Sequence, residues 1–327
     1  MSSDFLAYRF PGKPVIQGNG TIQEVSLHDS FEGFVFSDFE ATTFYEFIFA
    51  EIDATLENLH VYPYKPYVYT TREYLLQAHS FLNGMHQMRL KKAVFSRVKS
   101  YSFPLEKGYQ LFNLLCETYP KACVYFVSSE LLGTWVGASP EILLESHGDY
   151  LFTMSLAGTK RITQKTDSWG EKEKVEQELV TQFIEEKLQS ANVKDIEIIG
   201  PYDVEAGPVV HLRTDISGTL SQNKIINLIQ QLHPTPAVSG LPRDLSLNLI
   251  ASVESHDRFL YSGVVGYISQ NQTKLYVNLR CAQLQKELAY LYLGGGYTPD
   301  SLPELELDET ENKSKTLIAC MEKILRD

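Results

Sequence analysis

The sequence predicts an α+β fold built on large antiparallel sheets. Strand-like apolar runs come in long blocks, from Ala122 to Thr159 and again from Gly263 to Leu293. Helical stretches interrupt these blocks instead of alternating with single strands. The 327 residues are 43% hydrophobic and 21% charged, the balance of a globular protein with a substantial core. No internal repeat, low-complexity tract or linker divides them, so a single domain spanning 1–327 is expected.

Taken in order, the first ~60 residues read as strands and loops. Gly33 to Phe36 is a short apolar run, and Phe44 to Ile52 is a second one of open type. From Thr71 to Leu90 apolar residues at Tyr74, Leu75, Ala78, Phe81, Leu82 and Met85 keep helical spacing. The period then changes, and Lys92-Ala93-Val94-Phe95-Ser96-Arg97-Val98 reads as a strand. Helix returns over Pro104–Tyr119. His147-Gly148-Asp149 marks a hairpin turn inside the first strand block. Residues 163–170 are polar loop. The helix after them, from about Glu171 to Ser190, is expected to turn Val175, Leu179, Phe183 and Leu188 inward. Strands resume at Ile196–Ile199 and Val209–Leu212. Ile225–Leu232 is a short helix, and the prolines and glycine of His233–Gly240 force a rigid loop before a helix starting near Pro242. The second block turns at Ser269–Gln272. Gly294-Gly295-Gly296 closes it, leaving backbone open to close approach. Ser301 and Glu304 have capping-box spacing, and Pro303 suits a first turn, so the last helix starts here.

A formal net charge of −12 argues against nucleic acid as a partner. An anionic small substrate would need local cations or a metal. Cys116, Cys123, Cys281 and Cys320 show neither C-x-x-C pairing nor zinc spacing. With no signal peptide and no long apolar span, reduced thiols in a cytoplasmic protein without membrane attachment are expected. On the last helix Glu306, Glu309 and Lys313 recur at i, i+3 and i+7, on one face. One E-x-x-E is usually a solvated face. A second, Glu173 to Glu176 on another helix, makes two carboxylate pairs, the material of an oxygen-ligand Mg²⁺ site. Spacing alone leaves open whether they meet. Lys92, Glu141, His211 and Arg280 stand at strand ends. Singly each is more often structural, but together with the carboxylates and the glycine run they point to a site for a carboxylated substrate.

These residues fall in blocks that resemble the chorismate-utilising family. Leu232-His233-Pro234-Thr235-Pro236-Ala237-Val238-Ser239-Gly240-Leu241-Pro242 is similar to the signature loop of its isochorismate synthases. Lys92–Arg97, Gly137–Glu141, Leu156–Thr159, Glu176–Val180, Arg258-x-x-Tyr261-x-Gly263, Leu279–Ala282 and Glu309-Thr310-x-x-Lys313 match other blocks in order. The resemblance runs from about residue 75 to the end. Residues 1–70 match weakly, as an abbreviated N-terminal part would.

The resemblance implies one α+β domain of antiparallel sheets packed face to face with helices outside. It implies chorismate as substrate and Mg²⁺ as cofactor. Glu176 and Glu309 would hold the metal, and Glu173 and Glu306 would complete its shell directly or through water. Arg280 and Lys313 would face the substrate's carboxylates, with Gly158, His211, Ala237 and Gly294 lining the pocket. Lys92 would be the general base activating water at ring C2, and Glu141 the general acid protonating the C4 hydroxyl. From unperturbed values of ~10.4 and ~4.3, Lys92 would have to be shifted down and Glu141 up. Ala237 and Lys92 together favour water over ammonia, so no glutamine amidotransferase subunit is expected. Val238, the middle Gly295 and Asn278 depart from the usual pattern, and Asn278 is expected to put an extra amide near the pocket. The rivals are a salicylate synthase, an aminodeoxychorismate synthase and a degenerate chorismate-binding protein. The product would feed menaquinone or siderophore biosynthesis.

Overall fold

A computed structural model describes residues 3–26, 32–206 and 209–326, so residues 1–2, 27–31, 207–208 and 327 of the expected 1–327 span lie outside the described ones. The chain begins with four strands, β1 (Asp4–Arg9), β2 (Ile16–Val25), β3 (Gly33–Ser37) and β4 (Phe44–Ile52). Then come α1 (Thr71–Met88), β5 (Lys92–Ser102), α2 (Gly108–Thr118), β6 (Cys123–Ser129), β7 (Gly133–Ser139), β8 (Ile142–His147) and β9 (Tyr150–Arg161). The middle holds α3 (Glu171–Ser190), β10 (Lys194–Ala206), β11 (Val209–Thr219), α4 (Ile225–Leu232), β12 (Gly240–Leu241) and α5 (Arg243–Val253). The last part is β13 (Val264–Ile268), β14 (Gln272–Val277), β15 (Cys281–Leu284), β16 (Leu288–Tyr297) and α6 (Pro303–Arg326).

The sixteen strands among the described residues join one sheet in the order β10-β11-β9-β8-β14-β13-β3-β4-β2-β1-β6-β7-β15-β16-β5-β12. The separate sheets expected from the sequence are therefore two halves of one continuous sheet that folds back on itself. Aromatic contacts across the fold show the halves facing each other. Tyr8 of β1 meets Phe34 of β3 at 4.4 Å between centroids, Phe36 of β3 meets Tyr125 of β6 at 5.2 Å, and Phe10 meets Tyr276 of β14 at 6.0 Å. Such rings combine large buried area with favourable edge and offset geometry. Helices cover the outer faces: α1, α3, α4 and α5 share one apolar cluster, and α2 and α6 another.

Local chemistry explains the helices that carry site residues. The Thr70 hydroxyl accepts the Glu73 N–H at 3.2 Å while the Glu73 carboxylate accepts the Thr70 N–H at 2.8 Å, a capping box that starts α1. At α6 the expected box is not made. Ser301 Oγ instead donates to Glu306 Oε1 at 2.8 Å and accepts the Thr298 N–H at 3.0 Å. The helix starts at Pro303, and the serine is used to hold a buried carboxylate. In α3 the inward stripe also differs from expectation. Val175 is 47% exposed, and Val180, Phe183, Ile184 and Leu188 are buried. The stripe begins one turn later because buried Gln177 takes the contact with β9 and β11. Its side-chain oxygen accepts the Ala157 N–H at 2.9 Å, and its nitrogen donates to Ser155 Oγ at 2.7 Å and Thr214 Oγ1 at 3.0 Å.

Candidate active site

Ten of the twelve residues singled out in the sequence border one cavity: Lys92, Glu141, Gly158, Glu176, His211, Ala237, Arg280, Gly294, Glu309 and Lys313. Glu173 and Glu306 do not line it. The Cβ of Glu173 lies 3.2 Å from where a Cβ on Gly158 would stand, and Glu306 Oε2 lies 3.3 Å from the corresponding point on Gly295.

The glycine run explains how helices reach the cavity floor. In β16 alternate residues face opposite ways, and Gly294 and Gly296 share the cavity face. A Cβ on Gly294 would meet Tyr261 Oη at 2.6 Å, and one on Gly296 would meet Glu176 Oε1 at 2.5 Å. Any side chain there would displace the carboxylate. On the other face, Gly295 makes room for Glu306, which is 2% exposed.

A β-bulge shapes the opposite wall. His211 pairs with Thr159 and Leu212 with Ala157, so Gly158 is the extra residue, with φ of 68°. Glycine is suited to that conformation. The bulge presents the Gly158 carbonyl to His211 Nδ1 at 3.0 Å. Nδ1 must therefore carry the proton, which leaves Nε2 as an acceptor nitrogen. Burial and then the nearby Arg280 charge push His211 down to about 3, so the ring is neutral.

The charged groups fall into two sets. Lys92 is 1% exposed, and its Nζ lies 2.8 Å from Glu176 Oε1. Lys313 Nζ lies 2.5 Å from Glu309 Oε1 and donates to the Gly294 carbonyl at 2.9 Å. Glu141, in the short link from β7 to β8, is buried. Burial pushes its carboxyl up to about 7, against the opposing pull of Lys92, Lys313 and Arg280. Arg280 has a positive φ of 51°, a conformation that is uncommon outside glycine and clusters at functional sites. Desolvation lowers its guanidinium, with Tyr261 and Glu309 among the groups opposing that.

Asn278 differs from expectation. It is fully buried, its nitrogen donates to the Leu260 carbonyl at 2.8 Å, and its oxygen accepts the Tyr125 hydroxyl at 3.0 Å. Its amide braces the turn to Arg280 and stays out of the cavity. Sequence reasoning gave no role to Arg258. This buried side chain donates to the Val238 and Val94 carbonyls at 2.8 Å each and pairs with Glu254 at 2.6 Å, tying the Ala237 loop to β5. The Arg258-x-x-Tyr261-x-Gly263 pattern was its only signal.

As a metal site the arrangement offers Glu176 and Glu309, carboxylate donors suited to a hard cation, on two helices facing one cavity. The space left by Gly296 is what admits Glu176. Among the described residues no group of three or more His, Cys, Asp or Glu side chains is drawn together as a ready cluster. The donor set fits an ion that keeps several of its own waters, as Mg²⁺ does.

The fold and cavity belong with one class of protein. Residues 50–322 match the family described as chorismate binding enzyme, and the chain belongs to that family. A vibriobactin-specific isochorismate synthase of Vibrio cholerae serotype O1 is 29% identical over 252 residues, covering 73% of this chain and 64% of that protein. Isochorismate synthase EntC of Escherichia coli K12 is 34% identical over 197 residues, covering 57% of this chain and 50% of that protein. The chain thus matches between half and two thirds of the length of these relatives. The structure of MenF, the menaquinone-specific isochorismate synthase from Escherichia coli, superposes with a TM-score of 0.81 at 21% identity, over 98% of this chain and 89% of that one. At such identity the likeness is one of fold. No helix among the described residues is long and apolar enough to cross a membrane.

Proposed function

We propose that this chain converts chorismate to isochorismate, adding water at ring C2 and expelling the C4 hydroxyl. The observation that carries the reading is Glu141. A buried carboxyl raised to about 7 holds a proton near neutral pH, in a cavity that also contains a buried lysine, an arginine and two further carboxylates. Raising a carboxyl into this range is how a site keeps a general acid ready to donate.

In this reading Lys92 takes a proton from water as its oxygen bonds to C2. Glu141 gives its proton to the C4 oxygen as that bond breaks, so one water enters and one leaves. Arg280 offers a planar fork to one substrate carboxylate, which lysine would match poorly. Lys313 supplies a second cation, and the backbone at Gly158 and Gly294 lets the ring approach closely. Neutral His211 presents an acceptor nitrogen to the same wall. Glu176 and Glu309 would hold Mg²⁺, with Glu173 and Glu306 behind them. When bound, the ion would neutralise the ring carboxylate and fix its position. Ala237 and Lys92 favour water as the nucleophile, without an amidotransferase partner.

The test is to incubate the protein with chorismate and Mg²⁺, without ammonia, and separate products by chromatography. Isochorismate as the main product is expected. Salicylate with pyruvate would move the chain to the lyase branch, and aminated product on adding ammonium salts would move it to the ammonia-using one. Chorismate left unchanged by folded, Mg²⁺-supplied protein would overturn the reading.

A further inference from the structure

The two carboxylates that would hold a metal are not bare: each is matched by one ammonium group. Lys92 Nζ sits 2.8 Å from Glu176 Oε1, and Lys313 Nζ sits 2.5 Å from Glu309 Oε1. Lys92 comes from β5 and Glu176 from α3, so that pair is made by tertiary packing. Within these two pairs the charges cancel, with Arg280 as a further cation on the same lining, and in a low-dielectric cavity a carboxylate stripped of its partner is costly.

We propose that Lys92 and Lys313 are exchangeable counter-cations. They neutralise Glu176 and Glu309 until a divalent cation takes those carboxylates; Lys313 then joins Arg280 at the substrate's two carboxylates, and Lys92 is freed toward the substrate ring. The inference rests on the metal and substrate class proposed above, not on the reaction. Its logic is charge conservation. A divalent ion replaces the two positive charges on the glutamates one for one, leaving two ammonium groups in the cavity without anions. A dicarboxylate supplies the missing two negative charges. Either ligand alone shifts the cavity's net charge, and both together, with Arg280 unchanged, restore its resting value. Each ligand should therefore raise affinity for the other, by the same factor in both directions.

The arrangement also separates two tasks assigned to Lys92. While its Nζ rests on Glu176 it cannot face a water at the substrate ring. Loading the cation releases the side chain into the cavity, where Gly296 leaves space beside its Cε at 3.4 Å.

The test is Mg²⁺ titration by calorimetry on the wild type, Lys92→Met, Lys313→Met and Lys99→Met. Each is titrated with and without isophthalate, a ring dicarboxylate that has no hydroxyl to lose. Lys99 pairs with Glu311 at 2.5 Å and does not line the cavity, so it serves as control. Isophthalate should tighten Mg²⁺ binding to the wild type by about tenfold, within the usual range of coupling between sites. Lys92→Met and Lys313→Met should each bind Mg²⁺ at least about fivefold tighter than wild type without isophthalate, and should lose most of the coupling. Lys99→Met should match wild type in both respects. Circular dichroism checks folding, and if Lys92→Met fails to fold the partly exposed Lys313→Met carries the test. If the wild type binds Mg²⁺ while both variants bind equally or more weakly, the exchange is overturned and the metal assignment stands. If no protein binds Mg²⁺ under either condition, both fall.

Discussion

The cavity handles charge in two ways. Along the glycine run and α6, each carboxylate has a lysine against it, Glu176 with Lys92 and Glu309 with Lys313. On the wall from Glu141 to His211, burial works in the opposite direction and favours neutral forms: a protonated carboxyl and an uncharged imidazole. Pairing preserves ions that can later be handed to ligands. Desolvation stores a proton on one group and denies it to another. A hydroxyl exchange on a dianionic ring needs both kinds of group within one space.

The sharpest way to break the contrast is to remove the two groups given to proton transfer. Lys92→Ala and Glu141→Gln should each lower turnover by about 10²–10⁴-fold while chorismate still binds. The double variant should lose far less than the product of the two, because both serve one displacement. Steady-state rates with equilibrium binding of chorismate check this, and near-normal turnover in Lys92→Ala would remove its role. Next comes Glu309→Gln, which tests the paired side alone. Mg²⁺ affinity should fall at least about tenfold, with most turnover lost and the thermal melt unchanged. Unaltered Mg²⁺ titration would move the metal elsewhere.

A smaller effect is expected from Gly296→Ala. Its new methyl would stand 2.5 Å from Glu176 Oε1 and should push that carboxylate aside, costing up to about 10²-fold in kcat/KM. Gly12→Ala, whose Cβ would meet nothing within 4 Å but whose φ of +68° disfavours a side chain, should cost some stability and leave rates unchanged.

The smallest effect is on stability and separates the two desolvated groups. Glu141 titrates at about 7 when folded against 4.5 as a free side chain, so between those values the native state holds a proton the unfolded chain has released. Stability therefore falls as pH rises through that window. His211 is lowered from 6.5 to about 3, so there the unfolded chain binds the extra proton and stability rises with pH. Each slope is limited to ~1.4 kcal/mol per pH unit, and between 4.5 and 6.5 the two oppose each other. Glu141→Gln should uncover a rise in stability across that overlap, and His211→Asn a fall. Urea unfolding at a series of pH values reads both, and parallel curves for wild type and variants would contradict the assignment.

Much of this was legible in the sequence, and the failures have physical reasons. The apolar spacing over α1 and the turn at Gly148 survive intact because local pattern and tertiary demand agree there. Ser301 failed as a cap because a buried Glu306 outbid the helix terminus for its hydroxyl. Val175 failed because the inward face of α3 was set by Gln177, a polar residue that periodicity does not count. Ten site residues reach one cavity, but neither the lysine pairing of Glu176 and Glu309 nor the inward turn of Asn278 could be read from spacing, since each depends on which strands become neighbours.

That dependence has a consequence for how the protein comes into being. Lys92 opens β5, yet this strand is flanked by β16 and β12, both made much later in the chain, and Val94 lies opposite Gly296. Closing such distant pairs is slow, because ordering must precede the contacts that reward it. A growing chain on the ribosome therefore carries its buried lysine long before the strand that shelters it exists. The cavity is complete only once α6, the last element of the chain, has brought Glu309 and Lys313 to it.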